Sequence, residues 1–395
     1  MPSLRLVALL LLAALVAVGC GREVQTSDPE QPALIAPPGK ERVNLGFPEL
    51  ATKNTTRVPS SDHREIAAAV ARAVFADPAR PPDAVTLVDG SDWRVAIAAA
   101  ALMGPPFKSP ILFADKTSLP EPSRTALSAL KPAGSDAAGK AQIIRIGNVA
   151  KPAGYKTSDV PAGSPLAMTR SIAGLIRAGK PGAAAKIIVT SAQDGSFAAP
   201  AAGYAALSGN PVLFVNRNTV PPETRAALAS LSGLARARMF VLGPSGVISP
   251  KVTRELRRFG TVRRVGGQDP ITNAIAFARY RVGEFGWGVS NSGHGMVFGR
   301  AGEPLQAAAA APLSSAGSYG PLLLLDSASA LPDALQGQLL DTQPAYRTTP
   351  VAAVYNRGWI VGDRAAISVP VQTRIDALLE VAPEQLPGNL DSPTR

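Results

Sequence analysis

The sequence predicts an α/β protein of three tandem units, each a parallel sheet covered by helices. Three observations carry this. A strand block opening on proline recurs as Pro110-Ile111-Leu112-Phe113, Pro211-Val212-Leu213-Phe214 and Pro321-Leu322-Leu323-Leu324, at offsets of 101 and 110 residues. Each block follows an Ala-rich segment: Ala96–Leu102, Ala198–Leu207 and Gln306–Leu313. Each precedes a Leu-Pro or Val-Pro step at Leu119-Pro120, Val220-Pro221 and Leu331-Pro332. Proline there suits the first turn of a helix, where its missing N–H costs nothing. Matched blocks in one order, three times over, mark a repeat.

The chain of 395 residues exceeds one average domain. A hydrophobic share of 46% excludes disorder throughout. The formal charge of +11 suits an anionic partner: wall polymer, phospholipid headgroup or nucleic acid. Aromatics are only 5%, and no basic run is interleaved with them, so no nucleic-acid partner is expected.

Taken in chain order, residues 1–19 read as a secretory signal. Arg5 precedes an apolar run from Leu6 to Val18, too short to span a bilayer. The exit Ala17-Val18-Gly19-Cys20 resembles the bacterial lipobox, which implies diacylation of Cys20 and a stable lipid anchor at the membrane. Residues 20–55 are polar and Pro-rich and read as a tether. The three units are assigned to 56–152, 153–260 and 261–381. The tail 382–395 holds three prolines and reads as frayed.

Within each unit a first strand precedes the Ala-rich helix: Ala84–Val88, Ile187–Thr190 and Met296–Phe298. A third closes the unit: Ile143–Gly147, Met239–Gly243 and Trp359–Gly362. In the last two units Val247-Ile248-Ser249 and Ala366-Ile367-Ser368 lead into helical spacing over Pro250–Phe259 and Val369–Leu379. Short apolar strands alternating with helices imply parallel sheets covered on both faces. Alanine lets backbones approach closely, so the second helix of each unit is predicted to be buried.

These blocks resemble the cell-wall-binding repeat type 2 family of bacterial surface proteins. The family's opening motif, Arg-hydrophobic-Ser-Gly-x-Asp-Arg-Tyr-x-Thr-Ala, corresponds to Arg57–Ala67 and Arg264–Ala274; Asp159–Pro165 keeps little of it. Its hydrophobic-Gly-Gly-x-x-Ala-Val-Ser ending corresponds to Val241–Ser249 and Ile360–Ser368. The chain departs at the Arg of the Asp-Arg-Tyr triplet, replaced by His63, Pro165 and Pro270, and at an Asp opening the Ala-rich helix, replaced by Val95, Phe197 and Gln306. The resemblance implies Rossmann-like or Toprim-like units packed as a pseudo-threefold trimer within one chain. It also implies non-covalent attachment to anionic wall polymers without enzyme activity. Arg57, Arg264, Asp62 and Asp269 are the candidate polymer-binding residues. Either arginine would touch a polymer anion, or it would pair with the Asp five residues on and brace the loop. Asp159 lacks such a partner, its matching position being Ser164.

Catalytic motifs fail. Gly134–Ala141 resembles a phosphate loop but lies before a strand and ends in Ala; Gly174–Lys180 is followed by Pro181. Both read as loops. No Gly-x-Ser-x-Gly elbow occurs. One cysteine and two distant histidines, His63 and His294, give no expected metal site, cofactor or Ser/His hydrolase; the histidines read as loop or surface residues. Polar residues after each first strand, at Asp89-Gly90, Gln193–Gly195 and Arg300–Glu303, read as turns and helix caps or as a rim where polymer sits. The expected protein is a lipid-anchored, extracytoplasmic binder of wall polymer. The alternatives are a solute-binding lipoprotein, a scaffold with degenerate repeats, and a hydrolase using loop carboxylates.

Overall fold

The computed structural model describes residues 51–180, 185–232 and 236–384. The signal, Cys20 and most of the tether and tail lie outside the described residues.

The strands are β1 (Thr55–Val58), β2 (Val85–Val88), β3 (Ile111–Phe113), β4 (Ile143–Ile146), β5 (Thr157–Val160), β6 (Lys186–Ser191), β7 (Val212–Val215), β8 (Ala237–Leu242), β9 (Gly260–Val265), β10 (Gly295–Arg300), β11 (Leu322–Leu325), β12 (Ala345–Tyr346), β13 (Arg357–Val361) and β14 (Ala382–Pro383). Three four-stranded sheets form, in the orders β3-β2-β4-β5, β7-β6-β8-β9 and β11-β10-β13-β1. Every pairing within them is parallel. Three sheets, not two lobes around one cleft, set the architecture.

The repeat arithmetic predicts three strands per unit, and the structure has four. The fourth is β1, β5 or β9, with sequences TTRV, TSDV and GTVRRV. Each is an edge strand mixing polar and apolar residues, so no apolar run announces it. The third sheet takes its fourth strand, β1, from the other end of the chain. Sheet membership therefore runs across the intervals 56–152, 153–260 and 261–381: β1 and β13 pair over some 300 residues of sequence, Thr55 opposite Gly358.

The repeated prolines occupy one structural place. Pro110, Pro211 and Pro321 each stand immediately before an edge strand. Their carbonyls accept from the amides of Thr86, Ile188 and Val297 at 2.9, 3.0 and 2.9 Å. Proline fits because its missing N–H takes no part in that pairing.

The Ala-rich helices are the common core. Trp93–Ala100, Pro200–Ser208 and Pro304–Ala310 pack on one another. Ala96 to Ala101, Ala201, Ala202, Ala205, Ala206 and Ala307 to Ala311 are all buried. Strand register makes Trp93, Gly195 and Pro304 equivalent, and they meet. A Cβ on Gly195 would lie 2.7 Å from Pro304 Cγ and 3.4 Å from Trp93 Cε2. Contact among three equivalent positions places the pseudo-threefold axis there. The helix after each fourth strand stitches neighbours: His63–Val74 packs on both Pro304–Ala310 and β3, and Pro165–Gly179 packs on Trp93–Ala100 and β7.

Local readings need correction. Gly174 and Gly179 lie inside the helix Pro165–Gly179, not in a loop. Apolar spacing at Ile172, Ala173 and Ile176 buries one helix face and outweighs the helix-breaking glycines. Residues 382–384 are not frayed: Ala382–Pro383 pairs with β12, and Glu384 meets Arg347. The fold begins before residue 56, since Asp376 Oδ1 accepts from the Asn54 amide at 2.8 Å.

Candidate functional site: the carboxyl ends of the sheets

In each sheet the third strand ends at a glycine, Gly147, Gly243 or Gly362, with φ of 76°, 127° and 121°. This left-handed turn favours glycine. At Gly243 and Gly362 it aims the carbonyl at the neighbouring fourth strand, where an arginine waits. Arg57 Nη1 donates to the carbonyls of Gly362 and Asp363, both at 2.8 Å, and Nη2 to that of Ile367 at 2.7 Å. Its Nε donates to Gln372 Oε1 at 2.9 Å. Arg264 repeats the pattern, donating to the carbonyls of Gly243 at 2.5 Å and Ile248 at 2.7 Å.

Arg57 is fully buried. Burial lowers its guanidinium pKa; Arg364 adds to the effect and Asp363 opposes it. Burial likewise lowers that of Arg264. These arginines brace the loop that launches the next helix. Their acceptors are carbonyls rather than the aspartates expected from the sequence. Asp62 and Asp269 instead stand exposed as N-caps. Asp62 accepts from the Arg64 amide at 2.8 Å, and Asp269 from those of Ile271 and Thr272, both at 2.9 Å. The positions where the family has Asp, Val95, Phe197 and Gln306, are buried.

His63 is not an ordinary surface residue. It opens the helix His63–Val74 with its ring edge-on to Phe113 at 4.5 Å, and its Nε2 is buried without a hydrogen-bond partner among the described residues. Among the described residues no group of three His, Cys, Asp or Glu could hold a metal ion, and no helix is long and apolar enough to cross a membrane.

What remains open at the rim mixes polar side chains with apolar ones such as Val95 and Ile146. In the first unit a crevice of ≈ 260 Å³ lies at the ends of β2, β4 and β5, lined by Asp89, Asp92, Lys116, Asn148 and Met168. Parallel sheets bind ligands outside such strand ends. Lys116 is exposed in a turn where the Asp115 amide donates to the Ser118 carbonyl at 3.0 Å. Arg217 is exposed in the same turn of the second unit, with Asn216 donating to Thr219 at 3.0 Å. Neither stands among the residues singled out from the sequence. The repeat contained the signal: each follows its strand-opening proline by six residues.

The rim is tied across units. Arg94 Nη1 donates to the Ala192 carbonyl at 2.8 Å, and Gln306 Nε2 to that of Ser61 at 3.1 Å.

Among solved structures, the chain is similar in fold to Cwp6 from Clostridium difficile, with a TM-score of 0.63 at 18% identity over 82% of this chain and 48% of that one. It is also similar to Cwp8 from Clostridium difficile, with a TM-score of 0.62 at 17% identity over 83% of this chain and 52% of that one. The chain thus spans about half the length of each. No family model and no curated protein matches the sequence.

Proposed function

We propose that this chain is an extracytoplasmic envelope protein, anchored by lipid on Cys20, that binds an anionic cell-wall polymer non-covalently along the carboxyl-end rim of its three sheets. One observation carries the reading: equivalent turns of two units present equivalent exposed cations, Lys116 and Arg217, on a chain of formal charge +11. A repeating polyanion meets such a surface at several points. Individually weak contacts then add through effective concentration. Asp62 and Asp269, exposed at helix starts on the same rim, would accept from sugar hydroxyls. Arg57 and Arg264 hold the rim's shape.

The fold shared with Cwp6 and Cwp8 supports this reading, as does the resemblance to cell-wall-binding repeats. A solute-binding lipoprotein would need two lobes closing on one cleft, and the sheets are three around one core. The role is binding rather than turnover.

Co-sedimentation of the mature protein with purified wall fractions from the source organism tests the proposal. The expected outcome is retention by the anionic polymer fraction that weakens steeply as salt rises. Failure to bind any wall fraction at low salt would overturn it.

A further inference from the structure

Among the described residues, exposed large apolar side chains are unevenly placed: apart from Val369, at the start of the helix Val369–Leu379, they gather at one end of the third sheet. Tyr319 (51% exposed), Val351 (86%), Val354 (62%), Tyr355 (44%) and Leu340 (51%) all belong to the third unit. Tyr319 precedes β11, and Val351, Val354 and Tyr355 precede β13. Leu340 ends the helix Asp333–Asp341, which runs back against the strand direction. All five therefore lie at the amino end of the third sheet, opposite the polymer rim.

Short contacts bring these segments together. The Tyr319 carbonyl accepts from the Gly295 amide at 3.4 Å. Val354 closes over Gly293, where a Cβ would lie 2.9 Å from Val354 Cγ1. Tyr355 Oη donates to the Pro350 carbonyl at 3.3 Å, beside Val351. Asn356 Nδ2 reaches the Thr342 carbonyl at 2.8 Å, two residues beyond Leu340. Exposed Lys53, Arg347 and Arg357 flank the patch, Lys53 paired with Glu380 at 2.7 Å and Arg347 paired with Glu384.

The described chain enters at this same place. Arg357 Nη1 donates to the Lys53 carbonyl at 3.0 Å, and Arg357 lies two residues after Tyr355. Thirty residues separate Cys20 from Ala51. Whatever path they take, a lipid on Cys20 is joined to the fold at the edge of the patch, within about 100 Å of chain.

We infer that this face docks on the outer surface of the membrane that holds the lipid, with Tyr319, Val351, Val354 and Tyr355 entering the headgroup region. Tyrosine suits that layer, since its ring is apolar and its hydroxyl stays wet. Arg357 beside the patch suits anionic headgroups. A bare aliphatic cluster in water has no comparable use, and patches of this kind mark interaction sites. The tether supplies effective concentration, so a weak patch suffices. Docked this way, the polymer rim points away from the bilayer. The inference rests on the lipid-anchor reading, which a direct measurement separates from it.

The chain has one cysteine, so a polypeptide beginning at Gly21 has none. Val351→Cys in that polypeptide takes one environment-sensitive dye at a site too exposed to disturb folding. An N-terminal hexahistidine tethers it to phosphatidylglycerol-containing vesicles through a nickel-chelating lipid, replacing the natural anchor. The dye at 351 should shift to the blue and be quenched by lipids carrying a shallow nitroxide. A dye at Lys116→Cys on the opposite rim should keep its aqueous emission. Adding Tyr319→Ser, Val354→Ser and Tyr355→Ser should return the 351 dye to aqueous emission with the circular dichroism unchanged. Aqueous emission at 351 in the otherwise unaltered protein, or equal quenching at 351 and 116, would overturn the docking face. Intact mass of the native protein reports Cys20 acylation separately. Its absence would remove the natural anchor but leave the dye measurement standing.

Discussion

Arg145 and Asp159 stand opposite each other in register on β4 and β5, joined by an ion pair of 2.8 Å. The same two places hold Val241 and Arg264 in the second sheet and Ile360 and Arg57 in the third. The first unit has moved its arginine from the fourth strand to the third and set a carboxylate where the arginine was. Its duty is unchanged: Arg145 donates to the carbonyls of Val149 and Ala150 in the loop after β4. Each unit thus needs a guanidinium under this loop, and either of two strands can supply it. Asp159, which from sequence alone lacks a partner, pairs with an arginine that strand register brings to it.

Arg57→Ala should destabilise the protein by about 3–5 kcal/mol, because it strands buried carbonyls and Gln372 without their donor. It also loosens β1, the strand joining the chain's start to its last sheet. Arg264→Ala, half-buried and facing two carbonyls, should cost less, about 1–3 kcal/mol. Urea midpoints of the two variants check the ranking. An unchanged midpoint for Arg57→Ala would contradict the bracing role.

Gly195 allows three equivalent helix starts to converge. Gly195→Val should lower the thermal midpoint by the equivalent of about 1–3 kcal/mol, since its side chain must displace Pro304 and Trp93. Gly302→Ala, where a Cβ meets nothing within 4 Å, should have almost no effect. Equal tolerance at both positions would argue against the axis.

Burial pushes the His63 imidazole below its ordinary value of 6.5, with Asp62 opposing and Arg64 assisting. The folded state then holds this proton less tightly than the unfolded state. Its contribution is complete above the ordinary value and is lost as pH falls through it toward the lowered one. The thermal midpoint should therefore drop between pH of about 7.5 and 5.5. His63→Phe keeps the ring against Phe113 and removes the proton, so it should shrink the drop. His294, shifted the same way by burial, accounts for part of the remainder.

Cys20→Ala should move the protein from the membrane fraction to the soluble extracytoplasmic fraction with its circular dichroism unchanged. Diacylation is what makes such an anchor stable. Undiminished membrane partitioning of the variant would remove the lipid anchor from the account.

Much of the fold was legible because apolar strands and alanine helices repeat with their prolines. Pro110, Pro211 and Pro321 alone locate three edge strands. The fourth strands were hidden because edge strands tolerate polar residues, so TSDV reads as a loop until β4 pairs with it. The arginine positions were legible, but their burial was not: nothing local in Arg57-Val58-Pro59 reveals the loop 305 residues away that encloses the guanidinium. Lys116 and Arg217 were within reach through the proline offset. They pass unnoticed because a single cation in a turn resembles any solvated side chain.

Charge reversal at the repeated turn bears most directly on the binding role. Lys116→Glu combined with Arg217→Glu changes two exposed positions and should leave the thermal midpoint within about 1 kcal/mol of wild type. Affinity for the isolated anionic wall polymer, measured by co-sedimentation at low salt, should fall at least about tenfold, as loss of two charge contacts at about 0.7 kcal/mol each or more would give. Undiminished binding by this folded double variant would contradict a polymer site at the carboxyl ends of the sheets.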